Sequence, residues 1–325
     1  MSFVFNGRSG LSEHTRERIL EAARHFGWTP NIRAKSLAQQ RAHAIGLVVR
    51  RDTVPPAGMD LLDLVSGIGT VLAREGYALI FEVVDDGRAQ NESYVRLDGE
   101  SRIDGVLLLD AVLDDPRPEE LSERGLASVA LGCGLPPASR SACVRSGGHD
   151  GLQKAVGLLT ELGHRRIAYV AESAGSTDSS DRLDGWHSAC FRLGAEEVRS
   201  EFVDGSDGSV IRETHRLLQL ARRPTAIVYG SDAMAVVGES AAMAHGFDVP
   251  ADVSIVGIGG SDEAILGSPP VTSVRLDARG AGRASASTLV ALIEGRDPPS
   301  ADLDGARVLV RRSTGRPMVG HSAEG

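Results

Sequence analysis

Nucleophilic, metal or cofactor chemistry leaves few traces in this chain. Cys133, Cys143 and Cys190 are its three cysteines and show no CxxC or metal-binding spacing, so they read as ordinary thiols of a reducing compartment. The nine histidines are scattered. His164, in Gly163-His164-Arg165-Arg166, reads as part of a helix-to-strand turn, because a metal site needs converging donors. Gly257-Ile258-Gly259-Gly260 and Gly205-Ser206-Asp207-Gly208 are glycine-rich, but neither forms GxGxxG after the first strand nor a Walker loop. No GxSxG elbow occurs, and no nucleophile and base stand at a recognisable spacing. No enzyme, cofactor or metal site is therefore expected. Among the polar residues at expected helix starts are Asp150 in His149-Asp150-Gly151, Arg182 in Asp181-Arg182-Leu183-Asp184-Gly185-Trp186, and Ser231-Asp232. A planar guanidinium can hydrogen-bond two neighbouring ligand oxygens, and a carboxylate accepts from hydroxyls or an amine. Each also has a plain structural use. Aspartate caps helices, Arg182 can pair with Asp181 or Asp184 at the surface, and Trp186 reads as core.

The elements that must position these residues alternate. Apolar strands are expected at 45–49, 77–84, 103–109, 126–131, 167–170, 226–229 and 253–257, with helices near 59–75, 179–193, 210–221 and 232–245 among the segments between them. Such alternation gives parallel sheets covered on both faces. Two similar series suggest two lobes with a cleft between them, and ligands of such sheets sit beyond the carboxyl ends of the strands. The chain's 325 residues, 42% apolar, suffice for two cores, which Val, Leu, Ile and Ala must build because aromatics are only 4%. No apolar run approaches the roughly 20 residues that span a bilayer, and the N-terminus does not read as a signal peptide. A cytoplasmic protein without membrane partners is expected.

The charge is uneven. Seven Arg or Lys against three acids give residues 1–45 a net +4, within a chain of −9. A basic end on an acidic body is what a protein needs when only one end meets phosphates. That end contains a capped helix: Ser12 as N-cap, Glu13 in the first turn, Ile19, Leu20, Ala23 and Phe26 on one face, and Gly27 as the stop. Trp28 and Thr29-Pro30 follow, and then Ala34-Lys35-Ser36-Leu37, which from its own residues is a basic linker or a short helix.

This order of segments resembles the lac repressor family of bacterial transcription regulators. The resemblance covers nearly the whole chain and includes Val249-Pro250-Ala251-Asp252-Val253-Ser254-Ile255-Val256-Gly257, Pro269-Pro270-Val271-Thr272-Ser273-Val274 and Arg311-Arg312-Ser313-Thr314. It implies an α/β protein of two doubly wound parallel-sheet lobes, periplasmic-binding-protein-like, preceded by a partial all-α helix-turn-helix headpiece and a hinge helix. The headpiece and hinge helix would occupy 1–43. The N-terminal lobe would be 44–162 plus 276–304, and the C-terminal lobe 163–275 plus 305–317, with crossovers near Gly163, Arg275 and Gly305 and a flexible tail at 318–325. Residues 2–7 match the end of a recognition helix and the turn after it. The first helix, the turn and the start of the recognition helix are missing from the pattern, as expected if the start codon is assigned too far downstream. Ser2, Asn6 and Arg8, with Lys35, Ser36 and Leu37 of the hinge helix, would be the DNA contacts, Leu37 wedging into the minor groove.

The resemblance also implies that Asp150, Arg182, Ser231 and Asp232 contact a small polar effector, a sugar or related metabolite, between the lobes. Gly259 stands where the family often has a sugar-contacting carboxylate, Ser231 where it has an amide, and Leu276 where some members have a polar contact. The implied partners are an operator in double-stranded DNA, the effector, and a second copy in a homodimer. A small-molecule sensor that has lost DNA binding is the alternative.

Overall fold

The computed structural model describes residues 41–51, 59–132, 140–172, 177–204, 206–298, 303 and 305–318, with a few isolated positions between 14 and 22. The expected headpiece and hinge helix, and with them Ser2, Asn6, Arg8, Lys35, Ser36 and Leu37, lie outside the described residues.

The first lobe is built from β1 (Ala44–Arg50), α1 (Leu61–Glu75), β2 (Ala78–Val84), α2 (Gly87–Gly99), β3 (Gly105–Leu108), α3 (Arg117–Glu123), β4 (Ala127–Leu131) and β5 (Ser141–Val144). Its sheet is parallel in the order β2-β1-β3-β4-β5. Successive side chains of a strand point to opposite faces, and the buried residues divide that way. Ile45, Leu47, Val49, Leu107, Val129 and Leu131 form one core with Leu64, Ile68 and Leu72 of α1. Val48, Val106, Leu108 and Ala130 form another with Tyr94 and Leu97 of α2 and Leu121 of α3. The helices have legible ends. The Asp60 carboxylate accepts the N–H of Asp63 to start α1, and Gly76, at φ 76°, stops it.

The second lobe contains α4 (Gly148–Glu161), β6 (Arg166–Glu172), α5 (Thr177–Leu193), β7 (Glu196–Val203), α6 (Asp207–Leu218), β8 (Ala226–Tyr229), α7 (Asp232–Ala244), β9 (Ser254–Gly259), the short α8 (Glu263–Leu266) and β10 (Thr272–Arg275). The chain then returns to the first lobe as α9 (Ala278–Glu294) and comes back as β11 (Arg307–Leu309). The sheet order is β11-β10-β9-β8-β6-β7, and only β11 is antiparallel to its neighbour. Ile167, Tyr169, Val228 and Val256 pack with Leu152, Val156 and Leu159 of α4 and with Trp186 of α5. The opposite face packs Val170, Ile227, Tyr229 and Ile255 against Val210 of α6 and Met234 of α7. Among the described residues no helix is long and apolar enough to cross a membrane.

The structure corrects one boundary. α4 shares its core with β6, α5 and β9, so the chain leaves the first lobe at 145–147 and not near Gly163. A helix following a strand normally covers its own sheet. Here the turn through Gly147, at φ 85°, sends it across to the other one. The later passages fall at Leu276–Asp277 and around Leu303 and Gly305. Each lobe is therefore discontinuous, and α9 is what closes the first. Its Gly282 meets α1 so closely that a Cβ there would lie 2.1 Å from the Leu64 carbonyl oxygen, while one on Gly67 would lie 2.1 Å from that of Arg279.

Candidate functional site

The carboxyl ends of the two sheets face each other, and the first turn of α5 bridges them. The N–H and hydroxyl of Thr177 both donate to the Ala111 carbonyl beyond β3, at 3.0 and 3.2 Å. Gly132, at the end of β4, leaves the space for that hydroxyl, which a Cβ would meet at 2.4 Å. Asp178 accepts from the Ser146 hydroxyl in the first passage between lobes. The three passages line a cavity of about 260 Å³: Arg145, Ser146 and Gly147 from the first, Leu276 and Asp277 from the second, Leu303 and Gly305 from the third. His149 and Asp150 of α4, Asp181 of α5 and Ala306 complete it.

Asp150 reaches this cavity from the first turn of α4, but it does not cap that helix, whose N-cap is Gly147. One of its oxygens accepts the Ala306 N–H at 3.1 Å and lies 3.3 Å from Lys154 Nζ. It thus ties the third passage to α4. Gly151 lets Leu276 lie against the same helix, since a Cβ there would sit 2.9 Å from Leu276 Cδ2.

Arg182 is 3% exposed and sits one turn inside α5, not at its start. Its partner is neither Asp181 nor Asp184 but Asp178, whose Oδ2 lies 2.7 Å from Arg182 Nε. Residues four apart meet on one helix face, and here they do so buried. Nη1 donates to the Gly230 carbonyl at 3.2 Å, and Nη2 has no hydrogen-bond partner. The side chain crosses Gly148, where a Cβ would approach its Cγ and Nε to 2.6 Å. Tyr169, stacked on Trp186 at 5.3 Å between ring centroids, lies beside Arg182, and burial pushes its phenol up to about 12.

Ser231, Asp232 and Gly259 gather at the ends of β8 and β9. Ser231 is the N-cap of α7, its hydroxyl accepting from the Met234 N–H at 3.2 Å. Asp232 is 2% exposed. One of its oxygens accepts from the Ser273 hydroxyl and the other from the Ser261 N–H at 2.7 Å. Both oxygens are committed to holding the loop after β9 against α7, and Gly257 leaves the room for them. Gly259 has φ 140° and Gly260 φ 72°. Arg275 folds over Gly260, donating to its carbonyl at 3.0 Å.

Two sets of polar residues were missed in the sequence. The first is Asp178, Asp181 and Asp277 around the hinge. Asp277 caps α9 by accepting the Gly280 N–H at 2.7 Å, and its Oδ2 has no hydrogen-bond partner. Burial raises the Asp181 carboxyl above the usual aspartate range, against Arg145 and His149, which pull it down. The repeat of Asp178, Asp181 and Arg182 at helical spacing was the available signal. The second set lies at the ends of β1 and β3. Arg117 holds both oxygens of Asp115, and it donates to Gln90 Oε1 at 2.8 Å and Asp110 Oδ1 at 2.9 Å. Burial opposes the charge on Asp115, but the hydrogen bonds and charge of Arg117 outweigh it and hold the carboxyl low. Among the described residues no group of three or more His, Cys, Asp or Glu could hold a metal ion.

Residues 156–314 match the family described as periplasmic binding protein-like domain. The HTH-type transcriptional regulator CelR of Thermobifida fusca is 31% identical over 299 residues, which span 91% of this chain and 88% of CelR. A solved CelR–cellobiose complex superposes with a TM-score of 0.74 at 30% identity, covering 96% of this chain and 94% of its own. A LacI family transcriptional regulator from Bifidobacterium animalis subsp. lactis gives a TM-score of 0.74 at 28% identity, covering 85% of this chain and 99% of its own.

Proposed function

The chain belongs to the LacI family of transcriptional regulators, and on that premise we propose that it is a DNA-binding regulator whose operator affinity is set by a small polar effector held between its two lobes. It acts in the cytoplasm as a homodimer, because paired half-sites call for paired headpieces, and it catalyses no reaction. The observation that carries this reading is the bridge made by α5. Thr177 and Asp178 bond to the first lobe through Ala111 and Ser146, while Arg182 four residues on bonds within the second. A ligand that meets this turn touches the contacts that a change of lobe angle must break. Three passages between lobes suit hinge motion, and the effector controls DNA binding by as much as it prefers one lobe arrangement.

On this reading Arg182 and Asp150 bind and orient the effector, Ser231 and Gly259 border it, and Asp232 holds the loop after β9 in place. CelR has been solved with cellobiose, so neutral mono- and disaccharides are the first ligands to try. The test is fluorescence anisotropy of the full chain on operator-bearing and scrambled duplexes at one stated salt concentration, since phosphate contacts make affinity salt-dependent. Tighter binding to the operator, changed by a ligand, is the expected result. Equal affinity for both duplexes would overturn the DNA-reading half of the proposal. A specific complex that no ligand shifts would overturn the effector half.

A further inference from the structure

The chain enters its first lobe through residues 41–44, and this entry is held more firmly than a strand start requires. Residues just before a first strand fray unless something ties them down. Here three in a row are tied. The Asp104 carboxylate accepts the Ala42 N–H on Oδ1 at 2.8 Å and the His43 N–H on Oδ2 at 2.6 Å. Hydrogen bonds to an ionised acceptor are about twice as strong as neutral ones. Successive N–H groups converge on one anion in a curled backbone, and His43 has φ 52°, a left-handed value uncommon outside glycine. Such a conformation persists only where its surroundings over-determine it. His43 meets that condition. Its carbonyl accepts the Ala78 N–H at 2.9 Å, and its ring lies 5.5 Å from that of Tyr77. Asp104 is fixed in turn, because its own N–H donates to the Ala44 carbonyl at 2.8 Å, just before β3. Arg41 Nη2 donates to the Ile293 carbonyl at 3.0 Å. That carbonyl belongs to the last turn of α9, the end at which a helix favours a cation.

We propose that Asp104 is a positioning residue for DNA binding. Through Ala42 and His43, and helped by Arg41 on α9, it fixes the direction in which the basic N-terminal segment leaves the first lobe. This rests on the reading that the chain is a DNA-binding regulator, and it names the joint on which that segment is mounted. α9 begins with its cap Asp277 at the second passage between lobes and runs for 17 residues to the turn that holds Arg41. That is about 25 Å at 1.5 Å per residue. Its close packing on α1 through Gly282 and Gly67 stiffens the span, so the exit direction follows the lobe as one body. A joint free to swivel would make each operator complex bear the entropy of fixing these residues, which the clamp has met in advance. Phosphate contacts, which any duplex offers, carry no sequence information. The clamp therefore acts on operator preference and not on DNA affinity as such.

The probe is a duplex that the full wild-type chain selects from a randomised pool, set against a scrambled duplex of the same composition. Both are measured by fluorescence anisotropy at one stated salt concentration. Asp104→Ala should lower the ratio of the two affinities at least about tenfold, the effect of one charge-assisted hydrogen bond, and leave binding of the scrambled duplex unchanged. Asp104→Asn keeps one accepting oxygen, so its loss should be smaller, and it serves where the alanine variant does not fold. A merely structural role would scale both affinities by the same folded fraction and leave the ratio as it was. Trypsin reads the joint without DNA, since cleavage tracks the population of the opened form. Cleavage after Arg41 should be at least about tenfold faster in Asp104→Ala than in the wild type, again the effect of one such bond. Equal cleavage rates, or an unchanged affinity ratio in a folded variant, would overturn the inference. A selected duplex whose preference survives both substitutions leaves the regulator reading standing and removes only the role of Asp104. If the wild-type chain selects no duplex, the DNA-reading function falls and the joint has nothing to position.

Discussion

Asp232, buried, and Asp181, partly buried, are both aspartates on helices of the second lobe, and their surroundings differ. Asp232 has each oxygen taken by a protein donor, Ser261 on one side and Ser273 on the other. Asp181 has an oxygen with no hydrogen-bond partner, in a cavity wall. The first belongs to a region that folding has completed, the end of β8 and β9. The second belongs to the hinge, where the polar balance is left open. A carboxylate matched within the protein contributes to stability, whereas one left with an unmet oxygen lowers it unless something else supplies the donor.

The largest expected effect comes from breaking the closed region. Asp232→Ala removes two charge-assisted hydrogen bonds of about 1.5–3 kcal/mol each and leaves their donors buried. Urea unfolding should show a loss of about 3–6 kcal/mol, and a loss below 1 kcal/mol would remove the brace. Arg182→Ala is also costly, because it strands Asp178. Breaking a buried pair on one side costs about 3–5 kcal/mol, so a variant meant to test effector contact there should be Arg182→Lys.

Glu239 sharpens the contrast, since it has an oxygen without a hydrogen-bond partner but borders no described cavity. It is 1% exposed, accepts only the Ser268 N–H, and burial pushes its carboxyl up to about 7 from the ordinary 4.5. The folded chain holds a proton that the unfolded chain releases. This contribution is therefore fully present below pH 4.5 and is lost as pH rises to about 7, by no more than about 3 kcal/mol. Glu239→Gln, which cannot ionise, should flatten that part of the stability profile. An unchanged slope between pH 5 and 7 would count against it.

Gly259→Asp restores the carboxylate that the resemblance associates with sugars, at a backbone angle of φ 140°. Such strain costs about 1–3 kcal/mol, and thermal unfolding should register it. The smallest effect is expected at the hinge. Asp181→Asn relieves a buried charge and should leave stability unchanged or raised by about 1 kcal/mol or less. A clear destabilisation would place Asp181 with Asp232 and erase the contrast.

Much of the fold was legible because short apolar runs, buried on both faces as strands, alternate with helical stretches. Residues 45–49 and 226–229 are strands within the observed β1 and β8. β7 escaped notice because Glu196-Glu197-Val198-Arg199-Ser200-Glu201 lacks an apolar run. Charge suits its place at the sheet edge, where it discourages further pairing. The passage at 145–147 was hidden for another reason. Local sequence encodes a turn, but which sheet the next helix covers depends on Leu152, Val156 and Leu159 finding partners more distant in sequence. The site was legible only as far as matching positions went. Asp150 reaches the hinge cavity, yet the resemblance could not say that Asp232 is satisfied from within. α5 begins at Thr177 and not near 179, so Asp178 fell outside the expected helix.

The glycine contact between α1 and α9 also has a consequence in time. Gly67 and Gly282 must meet to complete the first lobe, and roughly 200 residues of chain separate them. At about 5–20 residues per second, the ribosome needs tens of seconds to make that stretch. Throughout it the face of the first sheet that α9 covers lacks its lid, and the second lobe's own strands emerge first. The nascent chain thus carries an apolar surface that α9 will cover only later. Competing hydrophobic segments, or a chaperone, meet that surface before the native partner exists.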